Sequence, residues 1–303
     1  MNALALGTVQ LGLPYGATNR AGLPDEGEVA EILELAHRNH FRILDTAPVY
    51  GDAEARLGAL GASGRFDIVS KTLPFSRVSS GSPVDAVAAT VECSLNALRT
   101  TSLHGLLVHD VSDLLGPEGE ALHGFLLRAR SEGIARRIGV SVYHPEELEV
   151  VLDRFEIDLV QAPVNVLDQR FLEPALLARL EKRGIELHAR SAFLQGVLLA
   201  PVSELAPYFA PVRATLHAFE NAAGRTTPGK VAACLRFLLD SPGVARVVVG
   251  VAATRELSEI VTARAGPGIA RGVAKGLACR DLEMIDPSRW PPRERLVGDA
   301  SRS

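Results

Sequence analysis

The chain is short of several things, and each shortage excludes a class of protein. Its 303 residues include only three cysteines, Cys93, Cys234 and Cys279, and they are widely scattered. They show no metal-type spacing, and an odd count argues against a disulfide framework. His104, His123, His144, His188 and His217 fall in no ligand-like grouping, so no metal site is expected. A basic surplus is missing too. Lys plus Arg is 32 against 36 Asp plus Glu, a formal net charge of −4, which does not suit a general nucleic-acid binder. No apolar run approaches the roughly 18–20 residues that cross a bilayer. The stretch Met1–Gly16 lacks a basic segment, so a secretory signal is not expected. There is no low-complexity block and no clean internal repeat. These absences point to a cytoplasmic protein with reduced thiols and with neither nucleic acid nor membrane as a partner. Nothing in the pattern fixes an oligomeric state.

What is present is core. Hydrophobic residues make up 47% of the chain, and the mean hydropathy is +0.14. Short apolar runs alternate with helical periodicity. The runs Leu4–Val9, Arg42–Asp45, Asp67–Lys71, Gly105–His109, Arg137–Ser141, Leu159–Gln161, Ile185–Arg190 and Arg246–Gly250 read as strands. Glu28–His40, Val84–Arg99, Glu120–Glu132, Pro145–Arg154, Glu173–Arg183 and Lys230–Asp240 read as helices. Pro83 and Pro145 stand at helix starts, and Gly133 and Gly184 where helices should end. Strand–helix alternation implies parallel strands with crossover helices. Eight such units fit a closed (β/α)8 TIM barrel of one domain, residues 1–290, followed by a polar tail, 291–303. Residues 264–276 read as a loop, and Leu277–Ile285 as a final helix.

In such a barrel, chemistry sits at the C-terminal strand ends. Strand two ends in Asp45 with Tyr50 and Gly51 just beyond, strand three in Lys71, strand four in His109. Each residue has an ordinary reading. Asp45 is a good turn residue, Tyr50 can pack, Lys71 can be solvated and His109 can be a satisfied rim histidine. Their convergence on one rim shifts the balance. A phenol is a reluctant proton donor at neutral pH. A nearby ammonium favours its ionised form, and a carboxylate holds that ammonium. With an imidazole beside them, these groups make a pocket that polarises a carbonyl during reduction.

At these residues the sequence resembles the aldo-keto reductase family. The matching pieces are Gly7–Gly12, Leu44–Gly51, Val69–Thr72, Leu106–Asp110, Ile138–Ser141, Gln161–Asn165, Ser191–Gly196 and Val248–Gly250, in the family's order. The resemblance implies a barrel that binds NADP(H), with NAD(H) as the competing choice, and reduces a small-molecule aldehyde or ketone. By match, Tyr50 is the general acid, Lys71 and Asp45 tune it, and His109 orients the carbonyl. Ser141 and Gln161 match positions that hold the nicotinamide carboxamide. The stretch with Ser191, Phe193, Leu194 and Gly196 matches the pyrophosphate loop. The stretch from Gly250 through Thr254 to Glu259 matches the adenosine end. Gly7, Thr8 and Val9 lie where the first strand borders the cofactor.

Three departures stand out. Val142 replaces the family's usual Asn after Ser141. Arg190 replaces an aromatic that stacks on the nicotinamide; it either lines that pocket and disfavours the oxidised ring, or turns away to bind a phosphate or carboxylate. The usual basic contact to the 2′-phosphate falls on Ala252 or Ala253, with Arg255 as a substitute. The substrate is therefore read only as a carbonyl, sugar-like or anionic. Tyr208, Phe209 and Trp290 serve either as pocket walls or as packing. The competing functional reading is a regulatory or redox-sensing barrel with little turnover. A third is a lyase or isomerase using Lys71 as a Schiff-base amine.

Overall fold

The computed structural model describes residues 3–17, 22–292 and 296. Among them, parallel strands follow one another in chain order and close into a barrel. They are β1 Ala3–Gly7, β2 Ile43–Asp45, β3 Asp67–Lys71, β4 Leu103–Val108, β5 Ala135–Ser141, β6 Leu159–Pro163, β7 Glu186–Arg190 and β8 Val244–Gly250. β8 returns to pair with β1, from Ala3 against Arg246 to Gly7 against Gly250. A helix carries the chain back between strands, which is why every pairing is parallel. The (β/α)8 expectation holds, and each strand read from the sequence is found.

The strands are apolar on both faces because both faces are covered. Ala5, Ile43, Val69, Leu107, Leu159 and Val248 meet inside the cylinder. Their neighbours Leu6, Leu44, Ile68, Leu106, Ile138 and Val160 face outward and pack on helix residues such as Ile32, Val87, Leu126 and Leu148. Gly139 lets the interior close up: a Cβ there would lie 1.8 Å from the Leu159 carbonyl oxygen and 2.9 Å from Leu107 Cδ2.

Local signals set the helix ends. Pro83 opens the helix Pro83–Leu98, and the Ser82 hydroxyl accepts the Asp85 N–H at 3.3 Å. After the helices Gly119–Ser131 and Pro174–Lys182 come Gly133 at φ +77° and Gly184 at φ +67°. That left-handed conformation strains any residue with a Cβ.

Most boundaries shift by one to three residues, β4 for instance ending at Val108 with His109 just past it, and three differences change the elements themselves. β1 stops at Gly7 and Val9 begins a helical turn, Val9–Gly12, because Thr8 leaves the extended conformation (φ −110°, ψ 5°) and its carbonyl turns to accept the Leu11 N–H at 2.9 Å, while its N–H and hydroxyl hold the Asp45 carbonyl. Residues 264–276, read as a loop, include the helix Arg271–Gly276. The final helix covers only Leu282–Ile285, because Asp281 caps it, accepting from the Glu283 N–H at 3.0 Å.

A second apolar cluster lies beside the barrel, where the long connection after β7 packs against the C-terminal segment. It includes Leu198, Phe209, Leu216, Phe219, Met284 and Ile285. Phe209 meets Trp290 edge-on at 5.1 Å and Tyr208 at 5.2 Å. None of these three rings lines the main cavity, so they are packing residues and not pocket walls. Of the expected tail, Leu296 is buried in this cluster; residues 293–295 and 297–303 lie outside the described residues.

Candidate active site

Parallel strands put all their C-terminal ends on one rim, and that rim gathers the polar residues. Lys71 Nζ donates to both Asp45 oxygens at 2.8 and 2.9 Å and to the Thr46 carbonyl at 3.0 Å. Gln161 reaches across from β6 and donates to Asp45 Oδ2 at 2.7 Å. Tyr50 stands in the turn after β2. Gly12 allows that turn to sit close: a Cβ on Gly12 would lie 1.9 Å from the Tyr50 carbonyl oxygen. Lys71 Nζ lies 5.2 Å from the centre of the Tyr50 ring. The His109 ring meets Tyr50 edge-on at 6.0 Å.

These contacts set the charges. Burial opposes the Lys71 charge, but Asp45 and then Tyr50 outweigh it, so its pKa is raised and it stays an ammonium. Burial raises the Tyr50 phenol, Lys71 pulls it back, and the net direction is upward. The phenol therefore keeps its proton at neutral pH. Burial, aided by the Lys71 charge, lowers His109 to about 4, so its imidazole is neutral. His109 Nδ1 is buried without a partner among the described residues.

The quartet forms one end of a cavity of ≈ 570 Å³. Of the residues singled out from the sequence, Gly7, Thr8, Val9, Asp45, Tyr50, Lys71, His109, Ser141, Gln161, Arg190, Ser191, Phe193, Gly196, Gly250 and Glu259 line it, as does Arg255. Leu194 and Thr254 do not. Leu194 is buried in the second apolar cluster. The Thr254 N–H is hydrogen-bonded to the Glu28 carboxylate.

Gln10, Tyr15 and Tyr143 also line the cavity and carry no expected role, while Gln195 and Glu256 line it from within the stretches matched to the pyrophosphate loop and the adenosine end. Tyr143 stands two residues beyond Ser141 on the same rim, a position that could have signalled it. Tyr15 accepts from Gln195 Nε2 at 3.0 Å, and burial, with Tyr143 adding to it, pushes its phenol up to about 12.

The residues fit a dinucleotide. The cavity runs from the quartet past apolar walls, Val248, Val249, Val251 and Ile260, to the start of the helix Thr254–Ala263. Between these ends the backbone is left-handed at Ser191, Leu194, Gln195 and Gly196, a shape that turns amides toward an anion. Gln10 Oε1 is buried there without a partner, and a Cβ on Gly250 would lie 2.3 Å from it. Among the described residues no group of three or more His, Cys, Asp or Glu side chains could hold a metal ion, and no helix is long and apolar enough to cross a membrane.

Fold and rim together define a barrel protein with an acid–base cluster at one end of an elongated cavity. The model of the aldo/keto reductase family matches residues 3–267, and the chain belongs to that family. Aldo-keto reductases of Mycobacterium sp. strains MCS and JLS are 33% and 32% identical to it over 183 residues, 59% and 58% of this chain. Those matches span only 53% and 62% of the relatives' own lengths. A crystal structure of a Pseudomonas aeruginosa protein classed with the aldo-keto reductases shares 26% identity, covers 86% of this chain and 89% of that one, and superposes with a TM-score of 0.64. Aldo-keto reductase AKR11C1 of Bacillus halodurans, in its holo form, shares the fold at a TM-score of 0.72, with 95% of both chains covered and 19% identity.

Proposed function

We propose that the protein reduces the carbonyl of a small aldehyde or ketone to an alcohol with a nicotinamide cofactor. The observation that carries this reading is the Lys71 ammonium, held by both oxygens of Asp45 and set against the Tyr50 ring. When bound, the cofactor supplies a hydride to the carbonyl carbon. Tyr50 gives its phenolic proton to the carbonyl oxygen. Lys71 stabilises the phenolate left behind, and Asp45 keeps Lys71 in place. His109, neutral, orients the carbonyl oxygen by a hydrogen bond. Ser141 and Gln161 hold the nicotinamide amide, with Gly7, Thr8, Val9 and Arg190 along its side. The loop of Ser191, Phe193 and Gly196 holds the pyrophosphate, with Leu194 anchoring it from the apolar cluster behind. Gly250 and Glu259 frame the adenosine.

The resemblance favours NADP(H). One observation favours NAD(H). At the far end Glu28 takes the Thr254 N–H, and Glu256 takes the Ala252 N–H at 2.7 Å. Two carboxylates thus take amides at the start of the helix Thr254–Ala263 and set negative charge where a 2′-phosphate would be repelled, with Arg255 as the nearby cation.

The test is loss of the reduced cofactor's near-ultraviolet absorbance with a panel of aldehydes and sugars, using both cofactors. Sustained turnover supports the enzyme, and Tyr50→Phe should lower it by about 10²–10⁴-fold. Cofactor binding without turnover would favour the redox-sensing reading. Lys71 as a Schiff-base amine is disfavoured, since an ammonium paired with Asp45 is not a nucleophile; borohydride trapping should leave Lys71 unmodified.

A further inference from the structure

We infer that Arg190 is an anion anchor and that the carbonyl substrate carries a carboxylate. The inference rests on the reading of the site as a carbonyl reductase and names the substrate class.

Arg190 is the last residue of β7 and lines the cavity. Its guanidinium carbon lies 4.1 Å over the Tyr143 ring. Its polar contacts are to neutral groups, the Val142 carbonyl at 3.2 Å and the Ser191 hydroxyl at 3.4 Å. Among the described residues no carboxylate comes within ion-pair distance of it. The other cations nearby are compensated: Lys71 by Asp45, and Arg170, behind Tyr143, by Asp168 at 2.8 Å. A half-buried guanidinium without a counter-ion is costly unless something in the cavity supplies one.

The platform beneath it is fixed. The Tyr143 N–H donates to Glu147 at 3.0 Å, and its carbonyl accepts from Arg170 at 3.1 Å. Arg190 is thus aimed by the fold, with little freedom to swing toward a partner elsewhere.

Its position separates it from the adenosine end. Arg190 stands at the C-terminal end of β7 against Val142 and Tyr143 of the rim after β5, whereas Arg255, Glu256 and Glu259 line the cavity from the helix Thr254–Ala263 that follows β8. The Asp45–Lys71 pair cancels, so the chemical end carries one uncompensated positive charge. A single carboxylate matches that charge, and its two oxygens match the guanidinium fork. Neutral carbonyls leave the charge unmet.

The test compares benzaldehyde with 4-carboxybenzaldehyde, which differ only in the carboxylate. The wild-type protein should prefer the carboxylated aldehyde by about tenfold or more in kcat/KM. Arg190→Met should lower that ratio by about tenfold, whatever happens to the absolute rates, and Arg190→Lys should restore part of it. Benzoate binding, measured by calorimetry on the cofactor-loaded protein, should weaken in Arg190→Met. Equal use of both aldehydes by the wild type, or a ratio and benzoate affinity unmoved in Arg190→Met, overturns the inference while leaving carbonyl reduction intact. Failure to bind either nicotinamide cofactor overturns the functional reading instead, and benzoate binding to the cofactor-free protein still tests the anchor.

Discussion

Lys71 gives its ammonium to both carboxylate oxygens of Asp45, and the two side chains are almost sealed from water, at 1% and 7% exposure. Removing one partner strands the other. Asp45→Asn should destabilise the protein by roughly 3–5 kcal/mol, the usual cost of an uncompensated buried charge. The double variant Asp45→Asn, Lys71→Met should recover much of that loss. Urea unfolding of the single and double variants measures the coupling, and strict additivity would mean that the pair acts as two independent groups.

His109 has its pKa lowered to about 4 by burial, from an ordinary value of 6.5. The unfolded chain binds its proton more readily, so this residue's contribution to stability is full above about 6.5 and is lost as pH falls toward 4. Turnover should show no ionisation of His109 between pH 6 and 8. Its imidazole resonances, followed by NMR titration, should not move in that range.

At the opposite end of the barrel, Glu186 is lowered to about 2, chiefly by His188 and then, against the opposing effect of burial, by Arg137. The contacts are 3.3 and 3.2 Å. A depressed carboxylate stabilises the fold above its ordinary value of 4.5 and loses that effect as pH falls toward 2. Glu186→Gln should lower Tm at pH 7 and narrow its gap to the wild type at pH 3. Thermal melts at the two pH values decide this.

Glu28 should select against a 2′-phosphate. In Glu28→Gln, the ratio of NADPH to NADH affinity should rise about fivefold, the scale of one near-surface charge interaction. Fluorescence titration with each cofactor reads it directly, and an unchanged ratio would show that Glu28 only ties helices together.

The strands and most helices were legible because each is announced locally. Apolar runs mark β1–β8, while Pro83, Gly133 and Gly184 punctuate the helices. Asp45, Lys71 and His109 could be placed on one rim from strand ends alone, since parallel strands share a direction. Gln161 was expected at the cofactor, but its bond to Asp45 depends on β6 lying across the cylinder from β2. Glu28 was invisible for a related reason: its partner Thr254 is 226 residues away, and no local pattern relates them. Tyr208, Phe209 and Trp290 could not be assigned from composition, because a ring that walls a pocket and one that fills a core look alike in sequence.

The pairing of β1 with β8 sets Gly7 against Gly250, so the first and last strands form adjoining sides of one chamber. A growing polypeptide possesses no finished receptacle until its final strand has arrived and locked beside the earliest one. Capturing a nucleotide along that join would make occupancy and assembly mutually reinforcing: the tenant braces the doorway through which the wall was completed.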